Sequence, residues 1–279
     1  MGNNNPQVGD INFINSHSPR STFSHKPSHY ATHDQISGLN HFGIIHVNVR
    51  SYMQNQDDLR ILLNDCKNNF SIVALTECYN MPENVFLNDY TVPFLNLRTP
   101  PTGGGVCILT RPNDNAIIIP EMTKMSIDFE SIAIKLNDQI IVNIYRPPVY
   151  TSAVIDSFIN KLRNILNFKD INFPNCEITL CGDLNINLLQ NDSKSNKLMD
   201  LIQAHGLFSG IDLATRYDQV HNSSSLLDVI FSSDGINSDY FVLIDSVSDH
   251  LPVIKSLPLG RNNGRKESFQ FRDFNSEKL

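Results

Sequence analysis

Short apolar runs separated by polar turns fill the chain between residues 41 and 259, and most have the length and β-branched character of strands. Gly43 to Val49 is the first. A helix is predicted from Gln56 to Lys67, opening on Asp57 and Asp58, where the helix dipole favours acids. Ser71 to Thr76 reads as a buried strand that ends against Glu77. After a crossing rich in Pro and Gly, Gly105 to Leu109 is the next strand. Ser131 to Leu136 alternates Ile132, Ile134 and Leu136 with Ser131, Ala133 and Lys135, and Asn137-Asp138 offers turn chemistry before the apolar run Ile140 to Tyr145. This is the strongest hairpin signal in the sequence.

Thr151 to Asn167 fits an amphipathic helix, with Val154, Ile155, Phe158, Leu162, Ile165 and Leu166 on one face and Thr151 or Ser152 as N-cap. Glu177 to Cys181 predicts a strand running into Asp183. A helix from about Ser195 to His205 is stopped by Gly206. Leu226 to Phe231, Tyr240 to Ile244 and Pro252 to Ser256 close the series. Many strands with few helices imply two packed sheets covered by helices, an α/β sandwich. The two ends differ from this body. Residues 1–40 are polar, with scattered Pro and no hydrophobic period, and predict a disordered segment. Residues 260–279 are polar and mildly basic, with Phe269, Phe271 and Phe274 at irregular spacing, and read as a linker leading elsewhere. Residues 41–259 between them form the expected domain.

A length of 279 residues and 41% hydrophobic content can build a full core. The five cysteines are an odd number without a Cys-x-x-Cys pair, which points to reduced, mostly buried thiols. No apolar segment of signal-peptide or membrane-spanning length occurs, so a soluble protein is expected, nuclear or cytoplasmic and not secreted, with no membrane partner. The formal charge is −7, and residues 41–260 carry 15 basic against 24 acidic side chains. That sign argues against a tight, non-specific binder of polyanions, although carboxylates gathered around a divalent cation account for part of it.

Hydrolysing a phosphodiester demands charge neutralisation on the phosphate, an aligned water and help for the leaving oxygen. Glu77, directly after Ile72-Val73-Ala74-Leu75, is the strongest candidate ligand for a hard cation, since a charge there otherwise sits awkwardly at the edge of the core. Asn48, ending the first strand, could hold Glu77 or a phosphate, or simply make a turn. Asp183 and Asn185 lie two apart, so an extended chain puts them on one side, one to orient or deprotonate water and the other to donate to the phosphate. Asp249-His250 supplies an acid or electrophile. Asp228, inside the apolar run Leu226 to Phe231, is its natural partner, because a carboxylate there needs a cation or donor. Tyr145 adds a phenol able to donate to the phosphate.

The order Asn48, Glu77, Tyr145, Gly182-Asp183-Leu184-Asn185, Ser225-Leu226-Leu227-Asp228 and Ser248-Asp249-His250-Leu251-Pro252 resembles the endonuclease/exonuclease/phosphatase superfamily. More narrowly, Val47-Asn48-Val49-Arg50-Ser51, Leu75-Thr76-Glu77, Gly103-Gly104-Gly105-Val106, Tyr145-Arg146-Pro147-Pro148 and Thr215-Arg216 resemble the apurinic-type endonuclease domain of non-LTR retrotransposons, over about residues 43–256. The resemblance implies a DNase I-like four-layer α/β sandwich, with two mainly antiparallel sheets flanked by helices. It implies Mg²⁺ or Mn²⁺ as the cofactor, with no small-molecule cofactor. DNA would be the partner, nicked on one strand to leave a 3′-hydroxyl that primes reverse transcription. Glu77 would then bind metal with Asn48 beside it and Asp249 nearby. Asp183 would act on the attacking water, Asn185, Tyr145 and Arg216 would hold substrate, and His250 would pair with Asp228. The tail after Gly260 would connect to a reverse transcriptase.

Two positions depart from apurinic repair enzymes, which carry an acid where Arg50 stands and an amide where Pro148 stands; both residues are usual in the retroelement branch. Leu227-Asp228-Val229 also lacks the Cys-Asp-Arg signature of inositol phosphatases. Two other readings stay open at this point: a decayed or repurposed module that binds nucleic acid or protein without cutting, and a phosphatase of the same superfamily.

Overall fold

A computed structural model of the chain describes residues 27–37, 41–67, 70–83, 85, 87, 89–90, 94–98, 103–148, 151–218, 220–234 and 237–258. In chain order the strands begin with β1 (His29–Ala31), β2 (His41–Asn48), β3 (Phe70–Thr76), β4 (Phe94–Asn96), β5 (Val106–Thr110) and β6 (Ile117–Ile118). They continue with β7 (Lys124–Ser126), β8 (Phe129–Leu136), β9 (Gln139–Tyr145), β10 (Glu177–Asp183) and β11 (Phe208–Ser209). The last are β12 (Arg216–Asp218), β13 (Ser223–Ser225), β14 (Asp228–Ser232), β15 (Asp239–Leu243) and β16 (Val253–Pro258). The helices are α1 (His33–Ser37), α2 (Tyr52–Asp65), α3 (Ser152–Asn172) and α4 (Ser193–Ala204).

Two seven-stranded sheets form, one ordered β1-β15-β16-β2-β3-β5-β4 and the other β11-β14-β10-β9-β8-β6 with β7 also on β8. Pairing is mainly antiparallel, with β2–β3, β9–β10 and β1–β15 parallel. Period-two alternation explains the layering. On β2 and β3, Ile44, Ile72 and Ala74 join the core shared with the second sheet. Ile45, Val47, Val73 and Leu75 turn outward to pack with Leu59, Leu62 and Leu63 of α2. On the far side α3 lays Ile155, Phe158, Leu162, Ile165 and Leu166 on the second sheet, each such burial stabilising by roughly 1.5–3 kcal/mol. The result is a four-layer sandwich of helix, sheet, sheet and helix. Asn143 on β9 ties the sheets together, donating from Nδ2 to the carbonyls of Leu75 (2.7 Å) and Cys107 (3.0 Å).

The hairpin of β8 and β9 turns at Asn137-Asp138 as the sequence predicts, Asn137 taking φ 53°. Helix boundaries shift. The second helix begins at Tyr52, ahead of the predicted Gln56, because the Ser51 carbonyl accepts Asn55 N–H (3.2 Å) and Tyr52 is buried. Asp57 and Asp58 therefore sit in its second turn. The third helix continues from Asn167 to Asn172, since Lys169 buries its aliphatic stem. The fourth starts at Ser193, capped by Asp192. All five cysteines are unpaired, and Cys66, Cys78, Cys107 and Cys181 are buried. Among the described residues no helix is long and apolar enough to cross a membrane.

One prediction is corrected. Residues 1–40 were expected to lack structure, yet β1 pairs in parallel with β15, and α1 follows with Ile36 buried. The strap is held by specific polar contacts in place of a hydrophobic run. Tyr30 Oη donates to the Ala214 carbonyl (3.1 Å) and lies 2.6 Å from Tyr217 Oη, and Ser28 N–H donates to Asp212 (3.1 Å). Residues 1–26, and the tail read as a linker over 260–279, lie outside the described residues.

Candidate active site

Strand register gathers the polar residues at one rim. On the second sheet Asp183 stands opposite Tyr145 of β9 and opposite Asp228 of β14, so three adjacent strands present three functional groups in one row. On the first sheet Asn48 and Thr76 end β2 and β3 side by side, and Glu77 follows. Strand β16 runs antiparallel to β2, which brings the preceding Ser248 to His250 alongside: Ser248 Oγ donates to the Asn48 carbonyl (2.6 Å) and accepts from His250 N–H (3.2 Å). Face-to-face packing then joins the rows. Asn48 Nδ2 donates to Glu77 Oε1 (3.0 Å) and to Asp183 Oδ2 (2.9 Å), a bridge between sheets. Tyr145 Oη donates to the same Glu77 oxygen (3.2 Å). His250 Nδ1 lies 2.8 Å from Asp228 Oδ2 and 4.0 Å from Asp183 Oδ2. Thr215 Oγ1 donates to Asp228 Oδ2 (2.8 Å) and accepts from the Leu227 and Asp228 amides, both 3.1 Å away.

The rim is built from strained backbone. Arg50, Ser51, Glu77 and Asn185 have φ of 45°, 92°, 54° and 48°, a region that costs a non-glycine residue on the order of 1–3 kcal/mol and persists only when its surroundings enforce it. The enforcing contacts are visible. Ser51 N–H donates to the Glu77 carbonyl (2.9 Å), and Cys78 N–H donates to the Gly105 carbonyl (3.3 Å). Gly105 N–H is in turn gripped by the buried Glu130 carboxylate (2.6 Å), which also pairs with Arg98. Gly104 has φ 103°, and a Cβ there would lie 2.5 Å from Glu130 Oε1, so the glycine run lets a backbone close on an acid. Gly182 is equally constrained: a Cβ would stand 1.8 Å from the Ile144 carbonyl oxygen.

Two supporting groups escape the sequence reading. Arg146 is fully buried, donating from Nε to the Leu184 carbonyl (2.6 Å) and from Nη2 to that of Asn185 (2.7 Å), and so holds the turn that follows Asp183. Its signal was a charge wedged between an apolar strand and Pro147-Pro148. His46, also fully buried, lies behind the rim with Nε2 3.1 Å from Thr76 Oγ1 and Nδ1 3.7 Å from Asp228 Oδ1.

Burial and crowded charge set the protonation states. Burial pushes the Asp183 carboxyl above the usual carboxylate range; His250 opposes the shift and Asp228 adds to it. Burial alone would lower His250, but Asp228, Asp183 and Asp249 outweigh it and raise the imidazole to about 9. Burial lowers His46 to about 4, so it is neutral. Burial and then Glu77 push the Tyr145 phenol up, leaving it a hydrogen-bond donor at neutral pH. For Asp249, burial is outweighed by His250, Arg216 and Arg50, which hold its carboxyl below the ordinary value.

All nine predicted residues come to this rim, in two groups. Asn48, Glu77, Tyr145, Asp183, Asn185, Asp228 and His250 form one connected network, in which Asn185 Nδ2 donates to the Arg146 carbonyl (2.8 Å) and to Asp183 Oδ2 (3.3 Å). Asp249 and Arg216 stand beside it as an ion pair, Nε to Oδ2 at 3.0 Å. A hard divalent cation fits the donor set at Glu77, whose Oε1 is fixed by Asn48 and Tyr145, leaving Oε2 for a cation that retains most of its waters. Asp183, Asp228 and His250 also offer ligand atoms within 4.8 Å of one another.

Residues 139–254, from β9 to β16, match the family model described as endonuclease-reverse transcriptase. No curated protein matches the chain. Among solved structures, the endonuclease domain of TRAS1, a telomere-specific non-LTR retrotransposon, is similar at 16% identity and TM-score 0.61, covering 78% of this chain and 99% of its own. The 3′ phosphatase NExo from Neisseria, bound to a product DNA hairpin, is similar at 17% identity and TM-score 0.60, covering 77% and 99%. An AP endonuclease from Archaeoglobus fulgidus gives 15% identity and TM-score 0.58, covering 77% and 99%. The family match contains Tyr145, Asp183, Asp228 and His250, and the solved structures share the two-sheet sandwich fold.

Proposed function

We propose that the chain is a Mg²⁺- or Mn²⁺-dependent DNA endonuclease that cuts one strand and leaves a 3′-hydroxyl to prime reverse transcription. The observation that carries this reading is the hydrogen-bonded path Glu77–Asn48–Asp183 converging with the Asp228–His250 pair at one rim. A repair enzyme that cuts at abasic sites and a retroelement endonuclease share this fold, and Arg50 in place of an acid favours the second.

Each residue's role follows from its state. Asp183, with a carboxyl raised by burial, is a base strong enough to take a proton from the attacking water. The water oxygen bonds to phosphorus as the bond from phosphorus to O3′ breaks, and O3′ takes a proton from solvent, giving a 5′-phosphate and a 3′-hydroxyl. His250, kept charged by Asp228, stabilises the negative charge that grows on the phosphate. Tyr145 Oη and Asn185 Nδ2 orient the phosphate as neutral donors. Glu77, steadied by Asn48, would hold the cation, which supplies further charge neutralisation.

Supercoiled plasmid with Mg²⁺ tests the assignment. The parent protein converts it to open circles, and Asp183→Ala and His250→Ala each lose ~10²-fold or more of that activity. Undiminished nicking by either variant would reject the roles of Asp183 as base and His250 as charge stabiliser. A parent that binds DNA without cutting would favour the non-catalytic module.

A further inference from the structure

Beside the reacting groups lies a second charged cluster of different composition. Asp249 Oδ1 lies 2.8 Å from Arg50 Nη1 as an ion pair without a hydrogen bond, and Oδ2 accepts from Arg216 Nε (3.0 Å) with Nη2 2.9 Å away. Both carboxylate oxygens therefore already face guanidinium nitrogens, a poor arrangement for ligating a cation. Two guanidinium groups against one carboxylate leave positive charge at the rim of a body whose residues 41–260 sum to −9. The arginine side chains remain 60% and 39% exposed, so donors that Asp249 does not use face solvent. Their backbones are fixed. Arg50 sits at φ 45° with its N–H on Asn48 Oδ1 (3.0 Å), and Arg216 makes an antiparallel backbone bridge to His250.

Resting on the nuclease reading above, we infer that Arg50 and Arg216, clasped by Asp249, form a clamp for a DNA phosphate adjacent to the one being cut, with Asp249 a positioning residue and not a metal ligand. Planar guanidinium forks match phosphate oxygens in pairs, and the carboxylate between them offsets the repulsion of two like charges. Both arginines lie beside the site: Arg50 is two residues after Asn48, and Arg216 is bridged to His250. A strand gripped there is registered against the chemistry.

The test uses the full chain carrying Asp183→Ala, so that a fluorescent DNA duplex stays whole while its affinity is followed across a salt series. Adding Arg50→Ala or Arg216→Ala lowers the slope of log affinity against log salt by about 1, whereas Arg50→Lys keeps it. In cutting-competent protein, Asp249→Asn raises KM ~10-fold with kcat within about two-fold. It also leaves unchanged the Mg²⁺ concentration needed for half-maximal nicking, which Glu77→Gln increases. An unaltered salt slope in folded Arg50→Ala, judged by circular dichroism, overturns the clamp. An Asp249→Asn protein that needs as much added Mg²⁺ as Glu77→Gln overturns the positioning role. Failure of the nuclease reading looks different: the parent leaves plasmid uncut, and if it also binds no duplex the clamp falls with it.

Discussion

Strands β10 and β14 carry a buried polar cluster at each end, and the two ends differ in how their charges close. Away from the rim, Lys255 of β16 inserts its ammonium between Thr179 Oγ1 (2.9 Å), Ser232 Oγ (2.7 Å) and Asp234 Oδ2 (3.0 Å). Three N–H donors meet three acceptors, and Asp234 also accepts from Ser232 (2.6 Å) and Ser238 (2.7 Å). Four residues along β10, Asp183 and Asp228 crowd around the single imidazole of His250. Asp228 Oδ1 and His46 Nδ1 are buried there without a hydrogen bond. The first cluster is a strut between sheets that closes its charges, although the neutral Tyr240 Oη beside it is buried without a hydrogen bond; the second leaves a carboxylate oxygen open, with excess negative charge that a cation and a substrate can complete. Burial of polar groups is common to both, so what marks a reacting site is incomplete satisfaction together with access.

Breaking the strut should give the largest effect on stability. Lys255→Met leaves Asp234 buried without its counter-charge and is expected to cost ~3–5 kcal/mol in a denaturant titration, while nicking per folded molecule stays unchanged. A loss below about 1 kcal/mol would place the pair with surface ion pairs and dissolve the contrast. The open cluster should instead show itself through pH. His46 has a folded value of about 4 against 6.5 when unfolded. Below 6.5 the unfolded chain therefore takes up a proton that the folded chain refuses. Its contribution is present above about 6.5 and is lost as the pH falls through about 4, on the order of 3 kcal/mol in all. Unfolding midpoints of His46→Gln should flatten along this acid limb; an identical limb would point to another group. The smallest change is expected for Asp228→Asn. His250 titrates at about 9, so nicking should persist to that pH and fall above it. Without the Asp228 charge the alkaline limb moves to lower pH, with roughly ten-fold less activity at neutrality. An unmoved limb would mean that the titrating group is not His250.

Local chemistry made much of this legible. Strands β8 and β9 could be read because side chains alternate and Asn137-Asp138 can turn. Asn48, Glu77, Tyr145, Asp183 and Asp228 stood out because each polar group directly follows or opens an apolar run. Their partners were hidden by distance along the chain. Nothing near Asp228 announces that Thr215 will cap its oxygen, nor anything near Gly105 that Glu130 will take its N–H. Such contacts depend on strand register, which a one-residue slip would reverse. The strap at His29–Ala31 was missed for another reason: three residues and a tyrosine hydroxyl leave no period to detect.

That strap has a consequence beyond steadying the loop that bears Thr215 and Arg216. By pairing with β15 it occupies hydrogen-bonding groups that would otherwise template the addition of another copy's strand, and it presents only three residues as the new border. Among the described residues the border of that sheet thus rests on a three-residue strand that Ala31 and Tyr30 also anchor to the core.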